Sequence, residues 1–246
     1  MFEVIALGVG DAFSTRHHGS SFLLSEAGFI LAVDCPADYR KTLQDASAAN
    51  GRQISAEDIS HMLITHVHGD HMNGLEGLAL YKQRFEKKRL RLALTPEVHA
   101  VIWDQRLAAG IGLRWENGRA QKLGFEDFFE HLPLSWDGEN KIGPFRVRLR
   151  RTRHMVPASA LLVQAGGRSF GYSCDTVFDP ELIRFLEPAD LIFHEVGAGG
   201  PHTTYAELAS LPESLRRKMR LIHYPDDFTP PDGALALLQE GETLAV

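Results

Sequence analysis

The segment THVHGDHMNG (65–74) constrains the fold of this chain more than any other stretch. Four side chains that can bind a metal fall within six of its positions: His66, His68, Asp70 and His71. The apolar run HMLIT (61–65) before them is typical of a buried strand. A turn beginning at Gly69 would bring the later pair round beside the earlier one. Imidazole and carboxylate groups bind zinc, iron and manganese, so the segment predicts a metal site in a loop held by a strand.

Short apolar strand patterns alternate with helical patterns along the rest of the chain, which predicts an α/β fold. Strands are predicted at 2–8, 21–25, 29–35, 61–65, 90–95, 145–152, 158–166, 168–175, 189–195, 219–224 and 242–246. Helices are predicted at 37–51, 73–88, 96–108, 180–187 and 203–218. No repeat or composition shift marks a second domain, so residues 1–246 are predicted to form one. The irregular stretch 106–140 is either a lid over a site or a packed surface insertion.

The composition limits the cellular location and the kinds of partner that the protein is expected to have. The net charge is −6 with neutral histidines, which argues against a large nucleic-acid footprint. No apolar run reaches 18 residues, and the first residues lack the pattern of a signal peptide. Two cysteines, Cys35 and Cys174, cannot make a disulfide framework. A cytoplasmic protein with no membrane partner is therefore expected.

The motif THVHGDH resembles the signature of the metallo-β-lactamase superfamily, and its extension HGDHMNGLEGL is similar to the ribonuclease Z and phosphodiesterase branch. The resemblance implies a four-layer αββα sandwich, in which two mixed β-sheets are flanked by helices. It also implies a two-metal site at the edge between the sheets. The further ligands of such a site occur here in order, each at the end of a predicted strand.

The resemblance assigns three histidines to the first metal: His66, His68 and His154. It assigns three residues to the second metal: Asp70, His71 and His223. Asp175, in the segment GYSCDTVFD, would bridge the two ions, and Cys174 stands there in place of the usual glycine. Asp34 and His194 would support the ligands through hydrogen bonds, as metal-bound imidazoles require. The cofactor implied is a pair of divalent ions, zinc first, with manganese or iron as alternatives.

A second resemblance concerns catalysis. The segment FHEVGAGGPHTTYAEL (193–208) is similar to the HEAT and H-[ST]-[ST] motifs of ribonuclease Z-like phosphodiesterases, with HEVG in place of HEAT. By that match Glu195 orients His202. The implied mechanism has a metal-bridging hydroxide as nucleophile and His202 as proton donor, and Asp70 joins the pair among the catalytic residues. An alkoxide leaves poorly without a proton, which favours hydrolysis of a phosphodiester.

The substrate is predicted to be a small phosphodiester or nucleotide. Ribonuclease Z enzymes clamp tRNA with an arm that protrudes between the positions of His154 and Asp175, which are here only 21 residues apart. The loop 8–22 lies at the rim of the site in the family. Its candidate substrate contacts are three consecutive residues, Arg16, His17 and His18. The resemblance alone suggests a homodimer.

Several other functions compete with this prediction. They are a thioesterase or lactonase of the same superfamily, a ribonuclease Z-like nuclease for RNA 3′ ends, an iron-based redox enzyme and a scaffold without activity. A thioesterase or lactonase would need the metals but not the Glu195–His202 pair. No electron-transfer module accompanies the chain, and degenerate scaffolds usually lose ligands.

Overall fold

Two seven-stranded sheets organise the computed structural model, which describes residues 1–246. The strands are Glu3–Gly8 (β1), Ser21–Glu26 (β2), Phe29–Val33 (β3), His61–Leu63 (β4), Leu90–Leu94 (β5), Leu113–Glu116 (β6), Arg119–Lys122 (β7), Phe129–Pro133 (β8), Asn140–Ile142 (β9), Phe145–Arg151 (β10), Ser159–Ala165 (β11), Arg168–Tyr172 (β12), Leu191–Glu195 (β13), Met219–Ile222 (β14), Ala236–Leu237 (β15) and Thr243–Ala245 (β16). The α-helices are Tyr39–Asn50 (α1), Gly69–Met72 (α2), Leu75–Tyr81 (α3), Pro96–Val101 (α4), Ala108–Ile111 (α5), Pro180–Leu186 (α6), Tyr205–Ala209 (α7) and Glu213–Arg216 (α8). Short 3₁₀ turns cover Ala56–Asp58 and Phe125–Asp127, and π-helical turns cover Lys82–Glu86 and Ile102–Leu107.

Both sheets are mixed. The first has the order β16-β1-β2-β3-β4-β5-β8, and the second has the order β15-β14-β13-β12-β11-β10-β9. In the first sheet the strands are antiparallel as far as β3 and parallel from β3 to β8. The second sheet is likewise antiparallel from β9 to β12 and parallel from β12 to β15. This agrees with the predicted sandwich of two mixed sheets.

The alternation of apolar residues along β1 shows how the layers form. Val4 and Ala6 belong to the larger buried cluster, which lies between the sheets, whereas Ile5 and Leu7 belong to a second cluster with α1 and α3. Successive side chains of a strand point to opposite faces, so one strand serves both layers. Phe22 of β2 meets the rings of Phe170 and Phe193 edge-on at 5.4 and 5.6 Å, which joins the two sheets directly.

The predicted helices are more interrupted in the structure than in the sequence pattern. The pattern at 203–218 becomes α7 and α8, because Pro212 lacks a backbone N–H and cannot continue a helix. The pattern at 96–108 runs through α4, a π-helical turn and α5. No helix is both long and apolar enough to cross a membrane.

The stretch 106–140 contains more regular structure than predicted. Its β8 joins the edge of the first sheet next to β5, and β6 and β7 form a separate exposed hairpin. None of its residues lines the cavity at the candidate site described below. β8 therefore fits the prediction that this stretch is an insertion packed beside the first sheet. The alternative, that the stretch forms a lid over the site, stays a prediction.

Candidate metal centre

Three strands end at the same edge of the sandwich with a residue in the left-handed backbone region. Asp34 follows β3 with φ of 63°, Cys174 lies two residues past β12 with φ of 52°, and His223 follows β14 with φ of 61°. Such angles are uncommon outside glycine and cluster where a site requires a sharp turn. Glycine adopts such a turn without strain, which fits the glycine that the family resemblance implies at position 174. These turns aim Asp34, Asp175 and His223 toward the loop that follows β4.

The seven predicted ligands come together in two groups. One group contains His66, His68, His154 and Asp175, and the other contains Asp70, His71, Asp175 and His223. Within each group the candidate ligand atoms all lie within 4.8 Å of one another. The division coincides with the two sets implied by the resemblance, and Asp175 belongs to both. One short segment, the end of β4 with α2, supplies four of the residues, and strand ends of the second sheet supply the others.

The donor atoms that face the centre of this cluster fit divalent cations. Nε2 of His66, Nε2 of His71 and Oδ1 of Asp175 are buried and have no hydrogen-bond partner. Unpaired buried polar atoms are rare, because each one costs about 1–3 kcal/mol. Nδ1 of His68 also lies only 2.9 Å from Nε2 of His154. Cations between these atoms would satisfy all of them, so the chemistry of the donor set matches a metal centre.

Electrostatics keeps several of these groups in the form that binds metal. Burial lowers the pKa of His66 well below its ordinary value and lowers the pKa of His154 to about 4, which leaves both imidazoles neutral. Burial alone would raise the pKa of Asp175, but positive charge on the adjacent His223 and His71 holds it well below the ordinary value, and the neighbouring carboxylates raise the pKa of both histidines despite their burial. The carboxylate is therefore ionised, as a shared ligand must be.

Hydrogen bonds fix the imidazoles from behind. His71 Nδ1 lies 2.8 Å from Asp34 Oδ2, and the Thr65 hydroxyl donates to the same carboxylate at 2.8 Å. On the far side of His66, Nδ1 lies 3.1 Å from the Thr65 hydroxyl and 3.5 Å from Cys174 Sγ. Contacts of this type set the tautomer and the direction of a ligand. Thr65 and Cys174 thus act on the site, although neither was predicted to have a role there.

Glu195 and His202 form a pair next to the second group. His202 Nδ1 lies 3.2 Å from both carboxylate oxygens of Glu195. Glu195 is fully buried, and its Oε1 accepts a 2.7 Å hydrogen bond from Thr176 N. The bond to Glu195 raises the pKa of His202. His202 stacks on His223 with ring centroids 5.2 Å apart. The imidazole of His202 therefore lies beside the candidate metal ligands.

His194 is also buried but faces away from this chemistry. Its Nδ1 lies 2.8 Å from the carbonyl oxygen of Glu195, the next residue. No hydrogen bond or ion pair joins its side chain to a predicted ligand, so the support predicted for it could act only through the backbone of Glu195.

A cavity of about 590 Å³ opens onto the cluster, within the size range of small-molecule sites. Its lining includes candidate ligands and His202, and also residues that were not predicted: Asp11, Ala12, Phe13, Met155, Gly197, Ala198, Gly199, Pro201 and Pro225. Phe13 could have been recognised from the sequence, because it is a phenylalanine within the otherwise mostly polar turn GVGDAFSTRHHGSS.

The loop 8–22 lies at the rim of the cavity, but its predicted contact residues do not line it. Arg16 pairs with Asp227 at 3.1 Å. His17 packs edge-on against the ring of Tyr224, and His18 Nε2 lies 2.9 Å from Asp45. These neighbours draw the three side chains away from the cavity. Within this loop the candidates for substrate contact therefore move from residues 16–18 to residues 11–13.

The connection between His154 and Asp175 has no room for an arm. It consists mainly of β11 and β12, which pair in antiparallel fashion across the turn at Gly166 and Gly167. This is the arrangement that the short spacing predicted.

Comparison with solved structures shows the fold. The metallo-β-lactamase fold protein YhfI from Bacillus subtilis superimposes with a TM-score of 0.77 at 18% identity, covering 99% of this chain and 98% of that one. A diphosphatase from the PhnP family gives a TM-score of 0.74 at 13% identity, covering 100% of this chain and 98% of that one. The short form of human tRNase Z gives 0.70 at 20% identity, covering 99% and 98%. The predicted metallo-β-lactamase fold is confirmed.

Sequence comparison shows the family. The family model described as anti-Pycsar protein Apyc1 matches residues 2–244. An anti-Pycsar protein Apyc1 from Paenibacillus sp. (strain J14) is 32% identical over 235 residues, covering 93% of this chain and 91% of the relative. One from Bacillus phage BSP38 is 29% identical over 260 residues, covering 98% and 97%. The chain is thus a metal-dependent hydrolase with the metallo-β-lactamase fold, and it belongs to the anti-Pycsar protein Apyc1 family.

Proposed function

We propose that this protein is a binuclear phosphodiesterase that hydrolyses a small phosphodiester, with a cyclic mononucleotide as the preferred class. The observation that carries the proposal is the pair of buried Glu195 and half-buried His202 beside a doubled set of candidate metal ligands. A site that only needed to polarise a thioester or lactone carbonyl would have no use for this pair.

In this proposal the two groups of side chains hold one divalent ion each, and Asp175 is shared. When bound, the ions would supply a hydroxide nucleophile at neutral pH and offset negative charge on the phosphoryl oxygens. The ionised state of Asp175 suits this position, because one carboxylate then balances charge on both sides. Zinc is the first candidate, and manganese or iron accept the same ligands.

His202 would act on the leaving group. The Glu195 carboxylate accepts from Nδ1, which leaves Nε2 as the atom that faces the cavity. The same carboxylate raises the pKa of His202, which favours the imidazolium form that a proton donor requires. As the phosphorus–oxygen bond breaks, the Nε2 proton passes to the departing alkoxide, and Glu195 keeps the ring in place throughout.

Three features favour a small substrate over RNA. The cavity holds about 590 Å³, which suits one nucleotide. The connection between His154 and Asp175 is a plain strand pair without an arm. The chain is also acidic, with a net charge of −6, whereas binding along an RNA backbone usually requires a basic surface.

The first experiment measures metal content and substrate range on one purified sample. Elemental analysis gives the ions per chain, and parallel assays use cyclic mononucleotides, bis-p-nitrophenyl phosphate, an RNA 3′ end, a thioester and a lactone. Two ions per chain with turnover of the cyclic nucleotides is the expected result. Turnover of only the thioester or lactone would move the function to another branch of the superfamily and overturn the proposal.

A variant pair separates the site from the rest of the chain. Asp175→Ala should lose metal and all turnover, because it removes the shared ligand. His61→Ala is the matched control, since His61 lies at the opposite end of β4 and packs against Phe29. The control should keep both metal and activity.

A further inference from the structure

An exposed aromatic side chain stands at the mouth of the cavity. Phe13 is 87% exposed, and Met155 is 70% exposed. Among the large exposed hydrophobic residues of the chain, only these two line the cavity at the metal cluster. Single exposed hydrophobic residues are common on protein surfaces, but two that line the same cavity at a set of candidate metal ligands mark a candidate ligand surface.

The backbone that carries Phe13 is held firmly. Asp11 Oδ1 accepts a 2.9 Å hydrogen bond from Phe13 N, and Asp11 N donates to the carbonyl oxygen of Tyr224 at 3.3 Å. Tyr224 N in turn donates to the carbonyl oxygen of Val9 at 3.1 Å. Because Tyr224 directly follows the candidate ligand His223, the backbone at Phe13 is positioned relative to the candidate metal ligands.

A carboxylate on the neighbouring loop anchors the other side of the same turn. Asp226 accepts from the Ser14 hydroxyl, from Thr15 N at 2.9 Å, from the Thr15 hydroxyl at 2.7 Å and from Arg16 N at 3.2 Å. Four donors on three consecutive residues leave this segment little freedom. The side chain of Phe13 is therefore exposed on a fixed turn, which lowers the entropic cost of stacking a ligand on it.

We propose that Phe13 is the base-stacking residue of this site, and that Met155 supplies apolar contact from the segment after His154. The proposal rests on the proposed function, since a phosphate placed at the metals leaves the base of a nucleotide to lie along the cavity wall. Every base has a flat π-face, so a phenylalanine ring accepts purines and pyrimidines alike. The thioether of Met155 is polarisable and adapts to different ring shapes.

The test compares a nucleotide with a substrate that has no base. Phe13→Ala should raise KM for a cyclic mononucleotide about tenfold while kcat stays within a factor of two, as the removal of uniform binding requires. KM for methyl riboside 3′,5′-cyclic phosphate, which carries no base, should not change. Phe13→Trp should restore the wild-type KM, and Phe13→Leu should not. Equal effects on both substrates, or full rescue by leucine, would overturn the stacking role.

Phe85 provides a matched control, because it is 67% exposed and does not line the cavity. Phe85→Ala should leave both KM values unchanged. A product-binding titration separates this inference from the proposed function. If wild type hydrolyses no cyclic nucleotide, the proposed function fails, and Phe13 is then judged on the affinity for a nucleoside 5′-monophosphate. About tenfold weaker binding by Phe13→Ala would support stacking, and equal binding or no binding by wild type would overturn it.

Discussion

Asp34 and His71 are joined by a 2.8 Å contact between Oδ2 and Nδ1, although 37 positions separate them in the chain. Both side chains are buried. The contact places a proton on Nδ1 of His71 and turns Nε2 toward Asp70 and Asp175, each at 3.4 Å. The turn at Asp34, with its left-handed φ, thus decides which nitrogen of His71 faces the metal cluster.

Asp34→Asn should therefore weaken metal binding without unfolding the chain. The amide keeps the size of the carboxylate but loses its negative charge, which makes the His71 imidazole a poorer ligand. We expect metal affinity to fall about tenfold to hundredfold, measured by competition with a chelator of known affinity. Asp190→Asn is the control, since Asp190 accepts a hydrogen bond from Ser169 N near the start of β12, at the end of that strand opposite Asp175. Equal affinities in wild type and Asp34→Asn would show that the contact does not tune the ligand.

His202→Ala should slow reactions in proportion to how much their leaving group needs a proton. A diester with an alkoxide leaving group should lose about 10²- to 10⁴-fold in kcat, the usual contribution of general acid catalysis. Bis-p-nitrophenyl phosphate should lose far less, because nitrophenolate leaves without protonation. The test is to measure kcat of metal-loaded wild type and His202→Ala on both substrates. A uniform loss on both substrates would mean that His202 shapes the site rather than donating a proton.

The candidate metal ligands were assigned from the family resemblance, and most of them lie at or shortly after the ends of predicted strands. A residue that follows a strand lies at a known edge of the sheet. His66, His154 and His223 each lie near a strand end, so they are expected to lie close together. The break between α7 and α8 was not predicted, since the predicted helix at 203–218 ran across Pro212, although the Thr204 cap and Pro212 are both local signals.

Features that depend on distant partners could not be predicted. Arg16 and His18 turn away from the cavity because they contact Asp227 and Asp45, respectively. No local sequence pattern predicts these contacts. β8 was missed because its place beside β5 is defined only by the sheet. The left-handed φ of Cys174 follows from the turn that aims Asp175, at a residue type that rarely adopts it.

His194→Gln should make the protein less sensitive to acid. Burial lowers the pKa of His194 to about 4, while an exposed histidine titrates near 6.5. The unfolded chain therefore binds this proton more tightly, and stability falls as the pH drops from about 6.5 toward about 4. At pH 5 the loss from this one group is roughly 2 kcal/mol in the free energy of unfolding. Denaturant unfolding at pH 7.5 and pH 5 should show a smaller difference for the variant by that amount. The same difference in both proteins would mean that other groups carry the acid sensitivity.

Asp226→Ala should loosen the turn that carries Phe13 while leaving the metal cluster intact. Asp226 contacts no predicted ligand, but it accepts the N–H groups of Thr15 and Arg16. Removal of these acceptors should speed amide hydrogen exchange at residues 14–16 and leave exchange in β4 and β14 unchanged. If Phe13 stacks on the base, a mobile turn loses more conformational entropy when the nucleotide binds. KM for a cyclic mononucleotide should therefore rise several-fold at nearly constant kcat.

Combining Asp226→Ala with Phe13→Ala should then add little to the effect of Phe13→Ala alone, because both changes act through the same ring. Fully additive effects on KM would separate the anchor from Phe13 and assign Asp226 an influence of its own on the cavity.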